Sequence, residues 1–145
     1  MSRSIEHASQ AAGRRAAAFF GNGFHCAEAV LTAVLETLGK RSLEASAHAT
    51  AFGGGFGKTF EEACGALSGS LIVIGHLYGR QVPKDDWSVP AELGAEIRSR
   101  FLSTFGTTNC GVLRQRFGEA DQMDECRKIV GATAVLLTDL LSEEV

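Results

Sequence analysis

Four cysteines, Cys26, Cys64, Cys110 and Cys126, are the side chains of this 145-residue chain best suited to chemistry. As thiolates they can ligate a metal, attack a disulfide or pair with one another. The closest two, Cys110 and Cys126, are 16 residues apart. The chain therefore has no Cys-x-x-Cys redox motif, zinc-ribbon pair, ferredoxin run or haem-attachment motif, and a site using all four must be assembled by tertiary structure. Each cysteine falls near the predicted beginning of a helix, where unpaired N–H groups and partial positive charge favour thiolate over thiol. Glu61 and Glu62 beside Cys64, and Asp124 and Glu125 beside Cys126, work the other way. The competing reading is four inert thiols, because free cysteine is among the most buried residue types.

The elements that must position these residues are helices, since period-two alternation is almost absent and helical spacing recurs throughout. Ser4 to Phe20 predicts a first helix, and a second runs from near Asn22 to about Leu38, with Cys26, Val30, Ala33, Val34 and Leu38 on one face. Leu43 to Phe52 predicts a shorter helix leading into Gly53-Gly54-Gly55-Phe56-Gly57. Thr59-Phe60-Glu61-Glu62 matches a capping box, so the next helix is expected to start at Thr59 and end at Gly79. Gly65, Ser68, Gly69, Gly75 and Gly79 suit close backbone approach, which places this Gly-rich helix at the centre of the bundle at about 1 kcal/mol of lost propensity per internal Gly. Residues 80–89 form a polar loop, with Trp87 expected as a lid over the core. Pro90 suits the first turn of a helix to about Phe105. Asn109 is expected to cap a short helix from Cys110 to about Phe117, and Asp121 the last one. The fold class is all-α, a single domain over residues 1–145 with six or seven helices.

Composition bounds the function. Of the residues, 45% are hydrophobic and 21% charged, as in globular proteins. Fourteen basic against 17 acidic residues leave a net charge of −3, which argues against a general nucleic-acid binder. No apolar run approaches the roughly 20 residues of a membrane span, and the polar N-terminus lacks a secretory signal, so a cytoplasmic protein is expected. In a reducing compartment four cysteines read as buried residues, metal ligands or redox centres rather than permanent staples.

The segment Cys64-Gly65-Ala66-Leu67-Ser68-Gly69, preceded by Cys26 and the Gly53 to Gly57 loop and followed by the lone Cys110 and Cys126, resembles the C_GCAxxG_C_C family, which is named for redox activity. The resemblance spans nearly the whole chain and implies a redox or metal role for all four cysteines. His25 stands where a small polar residue such as Asn is expected.

Gly65 leaves room for a cluster, metal or partner thiol to approach the Cys64 sulfur. Gly53, Gly54 and Gly55 either turn the chain or present backbone N–H groups to cluster or thiolate sulfurs. Gly69 is read as a helix-packing residue. The Gly53 to Thr59 loop is not a phosphate-binding loop, because Phe52 stands where that pattern needs Gly and no strand precedes it. His7, His25, His48 and His76 read as ordinary histidines; Asp85-Asp86 and Glu143-Glu144 read as solvated loop and tail.

The leading function is a redox protein with Cys26, Cys64, Cys110 and Cys126 as catalytic residues or metal ligands, holding an iron–sulfur cluster or exchanging thiols for disulfides, with Gly53, Gly54, Gly55 and Gly65 lining the cofactor site. A structural zinc site and a helical interaction module with inert thiols are the alternatives. The expected partner is a redox protein, a homodimer is left open, and neither nucleic acid nor a membrane span is expected.

Overall fold

Five helices and a long sixth are built from the predicted periodicities. The computed structural model describes residues 2–143, with side chains described from Ala8 onward, so the expectation for His7 lies outside the described side chains. The helices are α1 (Ser2–Phe20), α2 (Cys26–Thr37), α3 (Leu43–His48), α4 (Gly65–Tyr78), α5 (Ser88–Phe105) and α6 (Cys110–Glu143), with a 3-10 turn at Thr50–Phe52. Among the described residues the extended structure is confined to an isolated bridge between Ala63 and Asn109, and the fold is all-α as expected. No helix among them is long and apolar enough to cross a membrane.

The chain's two end helices lie along one another. Gly13 and Gly131 let the α1 and α6 backbones approach, and the Ser9 hydroxyl hydrogen-bonds the Asp139 carboxylate between them. The mostly apolar α2 runs between α1, α4 and α6 and is buried along most of its length. The Gly-rich α4 packs against α2, α5 and α6. Its close approach to α2 is made at Gly65 and Gly69, where a Cβ on Gly69 would fall onto the Ala27 carbonyl oxygen. Gly75 faces open space instead, so the predicted stripe of close contacts covers only the first half of the helix. Gly69→Ala is therefore expected to destabilise the fold by about 2 kcal/mol or more, because backbone cannot yield as a side chain can. Gly75→Ala is expected to stabilise it by about 0.5–1 kcal/mol through helix propensity. Urea unfolding of the two variants checks both signs.

Several predicted boundaries move. The second helix begins at Cys26 rather than Asn22, because the His25 ring accepts the Glu28 N–H and the Glu28 carboxylate accepts the His25 N–H, forming the cap there. The fourth begins at Gly65 rather than Thr59. The Thr59 hydroxyl donates back to the carbonyls of Gly55 (2.7 Å) and Phe56 (2.9 Å), which holds the segment in a loop. Asn109 caps α6 as expected, its side-chain oxygen accepting from the Val112 N–H at 3.0 Å. Helix α6 is interrupted at Gly118 (φ 71°, ψ 158°), so the last stretch starts there and Asp121 lies within it. Trp87 is 58% exposed beside the Arg80 guanidinium and does not cover the core. Asp86 caps the start of α5 by accepting from the Ser88 N–H and hydroxyl. Glu143 is exposed, as expected of a solvated tail, and pairs with Arg100 at 2.9 Å on the surface; Glu144 is outside the described residues.

Candidate functional site

Cys26 and Cys64 stand closer to helix starts than the expected starts at Asn22 and Thr59 imply, and Cys110 stands where it was expected, directly after the Asn109 cap. Cys26 is the first residue of α2, Cys64 is the N-cap of α4, and Cys110 is the first residue of α6. Cys126 does not share that position; it lies well inside α6, beyond the break at Gly118. The break matters because it turns the rest of α6 so that Cys126 faces the same space as the other three. All four cysteines are free, and all four line one cavity of about 870 Å³.

Backbone pairing sets Cys64 and Cys110 side by side. The Cys64 N–H donates to the Thr108 carbonyl at 2.7 Å, and the Cys110 N–H donates to the Glu62 carbonyl at 2.8 Å. These bonds flank the Ala63–Asn109 bridge, and the Asn109 amide adds a bond to the Glu61 carbonyl. The starts of α4 and α6 are thus clamped together although they are far apart in sequence.

Glycines bring the remaining parts in. A Cβ on Gly65 would overlap the Cys26 sulfur, so the absent side chain of Gly65 makes room for Cys26. The expectation that Gly65 opens space at a thiol holds, with Cys26 rather than Cys64 as the thiol concerned. Across the Gly-rich loop, a Cβ on Gly53 would come 2.7 Å from the His25 ring, and one on Gly55 would come 2.7 Å from the Cys110 Cβ. Gly53 and Gly55 pack closely against His25 and Cys110, and the Gly54 N–H lies near the Cys26 sulfur and favours its thiolate.

The loop holds this shape against its own preferences. Phe56, Lys58 and Phe60 have φ of 68°, 62° and 60°, among glycines of the same hand. Left-handed backbone costs a non-glycine residue about 1 kcal/mol or more. Bonds from the Phe60 N–H to the Gly54 carbonyl (2.9 Å) and from the Lys58 N–H to the Gly53 carbonyl (3.1 Å) offset part of that cost, as does the Arg114 guanidinium, 3.9 Å from the centre of the Phe60 ring.

The cysteines are electrically unequal. Burial disfavours a charge on Cys26, but a hydrogen bond from His25 and the N–H groups of Gly54 and Ala27 outweigh it and hold this thiol below its ordinary range. Burial pushes the Cys64 thiol far up, and the charge of Cys26 adds to that. Cys110 and Cys126 are raised by burial and then by Cys26, with Arg114 opposing both effects.

His25 is the functional neighbour that sequence reasoning missed. Its Nε2 lies 2.8 Å from the Thr50 carbonyl oxygen, which can only accept, so Nε2 carries a hydrogen and Nδ1 is the basic nitrogen of the neutral ring. The hydrogen bond to Cys26 raises the imidazole's proton affinity; burial opposes this, and the Thr50 carbonyl and Glu28 support it. The Glu28 carboxylate is itself held by the Thr50 hydroxyl at 2.8 Å. The signal available in the sequence was His-Cys-Ala-Glu, a histidine three residues before Glu at a helix start.

Residues 24–140 match the family model described as "Putative redox-active protein (C_GCAxxG_C_C)". The chain belongs to this family. No curated protein and no solved structure matches it. The family's four cysteines are the four that line the cavity, and its Cys-Gly-Ala-x-x-Gly segment supplies both Gly65 beside Cys26 and Gly69 beside Ala27. Among the described residues no group of three or more His, Cys, Asp or Glu side chains stands close enough to share one metal ion. The sulfurs of this family member surround a space rather than meet at a point.

Proposed function

We propose that the protein is a thiol/disulfide redox protein in which Cys26 attacks and Cys64 resolves. The observation that carries this reading is that four free thiols line one cavity and Cys26, beside the His25 ring, is the one among them whose surroundings favour the thiolate. In the forward direction the Cys26 thiolate attacks a substrate disulfide, its proton having passed to Nδ1 of His25, which gives up the long bond it accepts from the Glu28 N–H to take it. One substrate sulfur joins Cys26 and the other leaves as a thiolate. The Cys64 thiol then attacks the Cys26 sulfur, forming a protein disulfide and releasing the second substrate thiol. Two electrons and two protons pass from the protein dithiol to the substrate. Cys64 is favoured as the resolving thiol because its neighbour Gly65 rests against the Cys26 sulfur. A separate reductant dithiol closes the cycle, and a reducing compartment such as the cytoplasm would supply it.

The experiment is oxidation of the reduced protein with one equivalent of a small disulfide, followed by digestion and mass spectrometry. A disulfide joining Cys26 and Cys64 is expected; exclusion of Cys26 from every disulfide would overturn the reading. An iron–sulfur cluster is the second reading, supported by the presence of all four cysteines on one cavity wall. Iron in protein purified without oxygen would favour it, and about one zinc per chain would favour a structural site.

The pH dependence of Cys26 follows from its surroundings, which comprise His25 and Glu28 on its own helix start, Cys64, Cys110 and Cys126 across the cavity, Arg114 behind the last two, and Lys58 on the cavity wall. A lowered thiol pKa keeps the thiolate populated as pH falls below the ordinary thiol range, and reactivity is lost only as pH passes through the lowered value. Iodoacetamide alkylation of Cys26 is expected to show its midpoint below 9.0. His25→Asn keeps a helix cap but removes the ring, so the midpoint is expected to rise. An unchanged midpoint would separate His25 from Cys26.

A further inference from the structure

The cavity wall is charged in one sense only. Its charged side chains are Lys58 and Arg114, with His25 as a titratable third, and no Asp or Glu lines it. This runs against the composition of a chain with more acidic than basic residues. Six ion pairs join charged side chains away from the cavity and a seventh joins His25 to Glu28, yet neither Lys58 nor Arg114 has a carboxylate within ion-pair distance among the described residues. Arg114 is held over the Phe60 ring, and Lys58 reaches the same cavity from a loop with left-handed backbone at both positions 58 and 60. Elsewhere the wall is apolar, with Phe20, Phe24 and Ile129 contributing hydrocarbon surface. The volume of about 870 Å³ lies in the range of pockets for small organic molecules. Cys64 and Cys110 are buried within it rather than raised on a surface that a folded partner could meet.

We infer that the cavity is a substrate pocket for a small organic disulfide bearing carboxylates, held by Lys58 and Arg114 with its sulfur–sulfur bond toward Cys26. This rests on the thiol-exchange reading and names its substrate class. The chemistry is the exchange already balanced: the substrate's S–S bond breaks, the Cys26–Cys64 bond forms, and the two protein thiol protons leave on the two product thiols. The cations add a preference opposite to that of free solution, where a thiolate repels a dianionic disulfide and attracts a dicationic one.

Three disulfides of similar size separate the cases: dithiodipropionate with two carboxylates, hydroxyethyl disulfide with no charge, and cystamine with two ammonium groups. The reduced protein is mixed with each, and thiol release is followed alongside the mass of the protein. Dithiodipropionate is expected to react fastest, about tenfold faster than hydroxyethyl disulfide at low salt, with the advantage shrinking as salt rises. In Lys58→Gln combined with Arg114→Gln the ratio of the two rates is expected to fall about tenfold. Lys58→Gln alone, at an exposed side chain, should lower it in the same direction and guards against misfolding of the double variant. A wild-type rate highest for cystamine, or a ratio that the substitutions leave unchanged, would overturn the pocket assignment while leaving thiol exchange standing. No reaction with any of the three, in protein whose Cys26 is alkylated normally, would overturn thiol exchange with small disulfides and the inference with it. Oxidation of Cys26 by a protein disulfide in that case would identify the substrate as a macromolecule.

Discussion

Cys26→Ser is expected to reduce disulfide exchange to below about a thousandth of the wild-type rate, because a hydroxyl supplies neither the anion nor the sulfur that the reaction needs. The variant should still fold. Cys26 begins α2, where serine is well tolerated, and the cap of that helix comes from His25 and Glu28 rather than from the thiol. Cys64→Ser is expected to behave differently. Its first step is intact, so the protein should accumulate a mixed disulfide at Cys26 and stop there, visible as a mass increase of one substrate half. Cys110→Ser and Cys126→Ser should pass through both steps. If Cys110→Ser rather than Cys64→Ser traps the mixed disulfide, then Cys110 is the resolving thiol; the pairing of the two backbones beside the Ala63–Asn109 bridge brings both within the same end of the fold. The measurement is a time course by intact-protein mass spectrometry for all four variants.

The helical character of the chain was legible because it is written locally. The apolar face of α2, the Asn109 cap, the Gly79 end of α4 and the Pro90 start of α5 are each decided within one turn or two. The start of α4 was not legible, although Thr59-Phe60-Glu61-Glu62 has the right residues for a capping box. Its Thr59 hydroxyl is taken by Gly55 and Phe56, and Phe60 is committed to left-handed backbone by contacts with Gly54 and Arg114. Gly54, Gly55 and Phe56 belong to the same Gly-rich loop and Arg114 to α6, so a compact loop, fastened by one long-range contact, wins over the helix. Four widely spaced cysteines showed that tertiary structure must assemble any shared centre, but the means of assembly lies in contacts between segments: an isolated bridge between Ala63 and Asn109, a break at Gly118, and a glycine that admits a sulfur from another helix. His25 was read as ordinary because a lone histidine has no pattern. It acquires its place from the Thr50 carbonyl, which fixes the ring from a loop 25 residues away.

Gly65→Ala is the substitution expected to damage structure and chemistry together. A Cβ at this position would overlap the Cys26 sulfur and stand 3.2 Å from both the Ala27 nitrogen and the Phe52 carbonyl oxygen. The last two are backbone atoms of α2 and of the 3-10 turn, so they cannot swing away. The sulfur can, by changing rotamer, but it then leaves the His25 ring and the Gly54 N–H that favour its thiolate. Two costs follow. Crowding between packed backbones is expected to lower stability by about 2–3 kcal/mol. Displacement of the sulfur is expected to slow exchange at least tenfold even at temperatures where the variant is fully folded, by lowering the thiolate fraction and misplacing the nucleophile. Gly69→Ala, one helical turn further on, separates the two costs: it crowds the same pair of helices at Ala27 but lies away from the sulfur. It should lose comparable stability and keep near-normal Cys26 alkylation in the folded state. If both variants react normally with iodoacetamide and differ only in unfolding midpoint, Gly65 is a packing residue alone, and the Cys-Gly-Ala-x-x-Gly segment owes both its glycines to the approach of α4 on α2. If Gly65→Ala loses Cys26 reactivity and Gly69→Ala does not, the first glycine of the motif positions the attacking thiol, and the motif joins a packing requirement to a chemical one within a single helical turn.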